Sequence, residues 1–261
     1  MYHDSNPKLN RRDFLKLSGA FFGALMFKGA VSSKYPIVSD PILIRVVDND
    51  HLITSQEIEK NIRPNLETLV EIQDAAFPFG FPILSERTQA HQICISDLIE
   101  LIKACNADKE DGVKSLYVAS AFRDYHTQKI LFNTRDKDEY LVAPPGTSQH
   151  HLGTAFDFTS ISINKQVGIY SGFAYTLEGK WLSKRAWEYG FLQSYVNAHD
   201  NRHPEPWHYL YVGRPIAKYF QERKEQGWPG DIFDLQIELQ GYYYPKGYSS
   251  PVTSYKNNYR T

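Results

Sequence analysis

The chain has 261 residues, 42% of them apolar and 23% charged, the composition of an ordinary globular protein rather than a disordered or fibrous one. Basic and acidic side chains nearly cancel, 29 against 30, so the broad positive field of a nucleic-acid binder is absent. Two cysteines are too few for a disulfide-stapled scaffold or a four-cysteine zinc site.

The first feature in chain order is an address. Asn10-Arg11-Arg12-Asp13-Phe14-Leu15-Lys16 precedes an apolar run from Leu17 to Phe27, and small residues follow from Gly29 to Ser33. Paired arginines, a short apolar run and small residues read as a signal peptide over residues 1–33. The order Arg-Arg-Asp-Phe-Leu-Lys resembles the twin-arginine export signal of bacteria. The apolar run stops after eleven residues, short of the roughly 20 that span a bilayer, so no stable membrane span is expected once the signal is cut. Removing residues 1–32 takes away five basic and two acidic side chains. The mature chain is then mildly acidic, which further disfavours nucleic acid or anionic lipid as partners. The expected location is the periplasm, the cell envelope or the medium.

Residues 34–53 are Pro-punctuated and β-branched and read as an extended segment. Thr54 and Glu57 form a capping box that would open a short helix. The strongest helical pattern runs from Ser85 to Cys105, with Ala90, Cys94, Leu98, Leu101 and Cys105 on one stripe. Eleven helical residues span about 16 Å and a disulfide needs Cα atoms within about 7 Å, so Cys94 and Cys105 should not bond to each other. Strands are predicted over Lys114–Phe122, Gly153–Thr159 and Trp207–Val212. Helices are predicted over Tyr125–Asn133, over Trp181–Tyr189 with Gly190 ending it, and from Pro215 to about Gln226. From Gly241 onward the chain is rich in Tyr, Ser, Pro, Lys and Asn. The partition is a signal (1–33), one α+β catalytic domain (34–240) and a Tyr-rich tail (241–261).

Three stretches carry chemistry. Ser120-Ala121-Phe122-Arg123 ends a predicted strand, with Gln128 a turn later. Ser148-Gln149-His150-His151-Leu152-Gly153-Thr154-Ala155-Phe156-Asp157 leads into the next strand. Glu205-Pro206-Trp207-His208 leads into the last. A hydrolytic metal site needs about three protein ligands and an open position for water, and His with carboxylate suits zinc. Asp157 shares a strand face with Ala155, and His150 precedes Gly153, where the chain can turn back towards that face. His208 heads a neighbouring strand, so two histidines and one aspartate could converge on one ion. Glu205 stands three residues before His208, where a general base could take a proton from metal-bound water. Spacing alone equally allows structural histidines and a packed Glu-Pro-Trp-His turn.

Ser-x-His-x-x-Gly-x-Ala-x-Asp followed by Glu-x-Trp-His resembles the paired signature of the zinc D-alanyl-D-alanine carboxypeptidases of the VanY type. Ser148, His150, Gly153, Ala155 and Asp157 match the first motif, and Glu205, Trp207 and His208 the second. Ser120, Arg123 and Gln128 resemble the family's upstream stretch, and Trp181-Leu182, Ala186-Trp187 and Tyr189-Gly190-Phe191 its intermediate helix. The resemblance implies one zinc per chain on His150, Asp157 and His208, with Glu205 as base. Arg123 would stabilise the oxyanion, and Ser148 and Gln128 would hold the substrate's terminal groups. The implied fold is the α+β Hedgehog/DD-peptidase fold, an antiparallel sheet with surrounding helices. The implied activity is removal of terminal D-alanine from peptidoglycan stem peptides.

The chain departs from that pattern at Ser194 and Leu210, where relatives often carry Arg, at Phe122, where Tyr is common, and at Asp124, where Ser is. These departures leave three specificities open: D,D-carboxypeptidase, L,D-carboxypeptidase and cell-wall endopeptidase. A non-catalytic wall-binding or protein-binding module is the alternative from another class, and Glu205 with Arg123 argues against it. Ser162-Ile163-Asn164-Lys165 matches a penicillin-binding nucleophile motif, but its isoleucines favour a strand and no Lys-Thr-Gly accompanies it. His199 and His203 read as loop residues, His126 as a surface residue, and the motif register selects His150 over His151.

Overall fold

The computed structural model describes residues 69–71, 88–108, 116–134, 142–160, 171–196 and 203–243. The signal peptide, the extended segment 34–53, the capping box at Thr54, the Ser162–Lys165 motif, His199 and the tail beyond residue 243 lie outside them.

The framework is a four-stranded antiparallel sheet. Strand β1 (Leu69–Glu71) pairs with β2 (Gln89–His91) in a separate ribbon. The main sheet holds β3 (Leu116–Ser120), β4 (Ala155–Ser160), β5 (Phe191–Gln193) and β6 (His208–Tyr211) in the order β3-β4-β6-β5. Every residue of β4 and β6 is buried, because both faces of the sheet are covered. On one face Phe156 and Phe158 pack with helices α1 (Gln92–Ala107) and α3 (Leu177–Arg185) through Leu98, Leu101, Trp181 and Leu182. On the other, Ala155, Leu192 and Leu210 pack with α4 (Arg214–Glu225) and α5 (Ile232–Tyr243) through Ile216, Ile232, Leu235 and Leu239. Helix α2 (Tyr125–Thr134) follows β3.

The helical stripe of α1 is buried as its spacing predicts: Cys94, Leu98, Leu101, Ile102 and Cys105 face the core. Both thiols are free, and burial pushes each well above its ordinary pKa, which makes them inert core residues. The helix starts at Gln92 rather than Ser85. Residues 89–91 are drawn into pairing with β1, Phe122 donates its N–H to the Gln89 carbonyl (2.8 Å), and the His91 ring caps the helix through Ile93 N–H (3.2 Å). The segment expected as one helix from Trp181 to Tyr189 is α3 followed by a 3-10 turn, Ala186–Tyr189. Gly190 ends it with φ +85°, and a Cβ there would meet the backbone of Gly213 and Arg214 at 2.9 Å. Helix α5 runs through Gly241 to Tyr243, past the residue 240 at which composition placed the end of the domain, with the Asp231 carboxylate accepting from Phe233 and Asp234 N–H. Among the described residues no helix is long and apolar enough to cross a membrane.

Trp181 is 1% exposed and its indole N–H donates to Asp108 at 2.9 Å. Trp181→Ala should cost about 3–5 kcal/mol of stability, the usual price of emptying so large a buried site. Tyr175→Ala, at a position 81% exposed, should stay within about 0.5 kcal/mol of the parent. Urea unfolding of the two variants checks the contrast.

Candidate metal centre

Strand register builds the centre. In the β4–β6 pair Asp157 stands opposite His208, and residues opposite each other project to one face with Cβ atoms about 5 Å apart. A register irregularity between Val118 and Ser120 brings Ser120 opposite Asp157 on the other side. It delivers Ala121, Phe122 and Arg123 to the same end of the sheet, a common use of bulges. The third contributor comes from the 3-10 turn Gln149–Leu152, which closes on Gly153 in the left-handed region (φ 71°, ψ 17°). That turn brings His150 back over β4, and the His150 carbonyl accepts from Arg123 N–H at 3.2 Å.

The three side chains meet. His150, Asp157 and His208 each present a ligand atom within 4.8 Å of the others, all buried. His150 Nε2 lies 3.2 Å from Asp157 Oδ2, and His208 Nδ1 lies 2.9 Å from Asp157 Oδ1. The two rings stand edge to face at 4.9 Å. On its far side His150 Nδ1 is 2.5 Å from the Ala121 carbonyl oxygen, a contact that requires the proton on Nδ1. Nε2 is then a bare lone pair aimed at a carboxylate oxygen, and it has no hydrogen-bond partner. Two buried acceptors facing each other are stabilised by a cation between them, and the donor set of two imidazoles and one carboxylate suits zinc.

Protonation favours the same reading. Burial, then the positive charge of Arg123, pushes His150 down to about 4. Burial opposes the charge of Asp157, but the two histidines beside it hold the carboxyl well below its usual range. Neutral imidazole and ionised carboxylate are the forms that bind metal.

Glu205 stands at the rim, with Oε2 3.7 Å from His208 Nδ1 and its side chain 17% exposed. A turn puts it there: His208 N–H closes on the Glu205 carbonyl at 3.1 Å, with Pro206 in the position where its fixed φ serves a turn best. Trp207 packs against the core cluster around Phe158.

The family model for D-alanyl-D-alanine carboxypeptidases of the VanY type matches residues 87–214, the segment that holds every residue of this centre. The solved structure of the LD-carboxypeptidase LdcB superposes with a TM-score of 0.50 at 30% identity, over 63% of this chain and 76% of that one. The chain belongs to the VanY family of D-alanyl-D-alanine carboxypeptidases. Its fold is the Hedgehog/DD-peptidase-like α+β fold expected from the motifs. The Bacillus subtilis protein YodJ is 33% identical over 126 residues, 45% of either chain. A D-alanyl-D-alanine carboxypeptidase of Enterococcus faecium is 32% identical over 115 residues, 43% of this chain and 35% of that one. The chain thus covers less than half the length of either curated relative.

The remaining VanY-type motif residues are close by. Arg123 reaches Asp157 Oδ2 through NH2 (3.1 Å) and Gln128 Oε1 through NH1 (3.0 Å). Gln128 is 1% exposed, and its amide N–H donates to the Ala143 carbonyl at 2.7 Å. Ser148, also buried, accepts from His150 N–H at 3.3 Å and caps the 3-10 turn. Both residues are engaged inside the protein, holding Arg123 and His150 respectively. His151 is fully buried. Its Nδ1 contacts the Arg123 carbonyl at 2.7 Å, and its Nε2 accepts from Gly146 N–H at 3.0 Å. Adjacency to His150 gave His151 no role in the sequence; in the fold it ties the 142–148 loop to Arg123. His126 is exposed on α2, and His203 is exposed in irregular backbone.

Proposed function

We propose that this chain is an exported, zinc-dependent carboxypeptidase that removes terminal D-alanine from peptidoglycan stem peptides. The convergence of the buried His150, Asp157 and His208 side chains, with Glu205 beside them, carries this reading. Those three residues would hold one zinc ion, which when bound supplies Lewis acidity toward the scissile carbonyl and lowers the pKa of water. Glu205 would accept the proton of the attacking water and hand it to the amine of the departing D-alanine. Arg123 would place positive charge where the carbonyl oxygen becomes an oxyanion, and Gln128 would act on substrate through the guanidinium that it holds. The twin-arginine signal read at Arg11-Arg12 would bring the enzyme to its wall substrate.

An L,D-carboxypeptidase activity is the second reading, favoured by the likeness to LdcB. Incubating the zinc-loaded protein with pentapeptide and tetrapeptide muropeptides, read by mass, separates the two. We expect loss of one alanine from the pentapeptide alone. Loss from the tetrapeptide assigns L,D activity, internal cleavage an endopeptidase, and no cleavage of any substrate a binding module.

A further inference from the structure

One buried polar group beside the metal centre has no place in that chemistry. Gln149 is 3% exposed and sits on the 3-10 turn between Ser148 and His150. Its Oε1 lies 2.9 Å from His208 Nε2 and accepts from the Ser194 hydroxyl at 2.8 Å. Ser194 follows β5, is 1% exposed, and donates its own N–H to the His208 carbonyl at 3.2 Å. Three segments distant in sequence therefore meet on the side of the His208 ring away from Asp157.

A neutral imidazole carries one N–H and one lone pair. An amide oxygen at Nε2 can only accept, so it holds the proton on Nε2 and leaves Nδ1, 2.9 Å from Asp157, as the lone pair. The Ser194 O–H fills the second lone pair of the same oxygen. With the amide reversed, its N–H would face Nε2 and drive the imidazole proton to Nδ1. That proton would then point at Asp157, in the space a metal would take. The arrangement also has a cost, because Gln149 Nε2 is buried with no partner. A residue retained for packing alone would be apolar here, since an unmet buried N–H is unfavourable.

We infer that Gln149, braced by Ser194, is a positioning residue that fixes the His208 tautomer presenting Nδ1 to a divalent metal. The inference rests on the metallopeptidase reading of the centre, and its test uses metal binding and spectroscopy rather than turnover. In 15N-labelled, zinc-loaded protein, long-range 1H–15N spectra should show His208 protonated on Nε2 and zinc-bound through Nδ1. Gln149→Leu should weaken zinc binding by about 10–100-fold, the usual loss when an outer partner of a ligand is removed, measured by competition with a chromophoric chelator. Gln149→Glu accepts from the same N–H and should restore most of that loss. Ser194→Ala should fall between Gln149→Leu and the parent. A folded Gln149→Leu that binds zinc as tightly as the parent overturns the inference alone, as does a His208 bound through Nε2. If Gln149→Leu does not fold, the spectrum of the parent protein decides. A parent that takes up no zinc fails the metallopeptidase reading, and this inference with it.

Discussion

Glu205→Gln should keep the fold and the metal while losing roughly 10²–10⁴-fold or more in kcat, the range attributable to general-base catalysis. The backbone that carries Glu205 does not depend on its carboxylate. Glu205 N–H donates to the Tyr195 carbonyl at 2.9 Å, and the Glu205 carbonyl closes the turn to His208 N–H at 3.1 Å. Gln has the same length and still accepts hydrogen bonds, but an amide oxygen does not take a proton at neutral pH. The carboxylate stands 3.7 Å from His208 Nδ1, beside the ligand set rather than within it, so zinc content should stay at the parent level. KM should move little, because the interaction removed belongs to the transition state. Loss of zinc along with activity would make Glu205 a ligand and reopen the assignment of Asp157. Full activity on every muropeptide would reject the hydrolase mechanism.

How much of this was legible beforehand depends on whether the cause was local. The α1 stripe is a matter of helical spacing, and its buried residues are those the spacing selects. Its start was not legible, because residues 89–91 are taken by pairing with β1 and by Phe122, 33 residues downstream of Gln89. Strand β5 is three residues long, too short to show a period. Helix α5 did leave a signal: Asp231 precedes Ile232, Leu235 and Leu239, which are a cap and an apolar face at helical steps. The Tyr-rich composition from Gly241 onward drew the boundary three residues inside that helix.

The candidate metal-binding trio was legible for a different reason. Ligand chemistry restricts residue type and Gly153 allows a turn, so type and spacing left convergence of His150, Asp157 and His208 open beside a purely structural reading, and the resemblance to the VanY-type motifs implied them as the ligand set. The residues that orient them leave no such trace. Ala121 acts through a carbonyl that every residue possesses, and Gln149 reaches a histidine 59 positions away. Ser148 and Gln128 show the converse. Their motif positions were visible, but the contacts they make, with His150 N–H and with Arg123, are set by burial that spacing does not reveal.

His208→Ala should abolish the stabilisation that zinc gives this fold. A ligand that binds only the folded state at 100 times its Kd adds about 2.7 kcal/mol. For a domain of this size each kcal/mol moves Tm by about 2–4 °C. The parent protein should therefore melt roughly 5–10 °C higher with zinc than after chelation. With His208 gone, only His150 Nε2 and the Asp157 carboxylate remain. Two ligands do not close a zinc site, so zinc and chelator should give the same melting curve. His150→Ala should lose the zinc response as well, and it should lower the metal-free Tm further than His208→Ala does. It leaves the buried Ala121 carbonyl, now 2.5 Å from the ring, without its donor, and an unmet buried acceptor costs about 1–3 kcal/mol. The metal-free His208→Ala variant keeps Arg123 on Asp157 Oδ2 at 3.1 Å, so its aspartate is not left without a partner. A zinc response of parental size in both variants would reject this ligand set. A response lost in His208→Ala but kept in His150→Ala would move the third ligand elsewhere, and Glu205, 3.7 Å from His208 Nδ1, would be the first residue to substitute next.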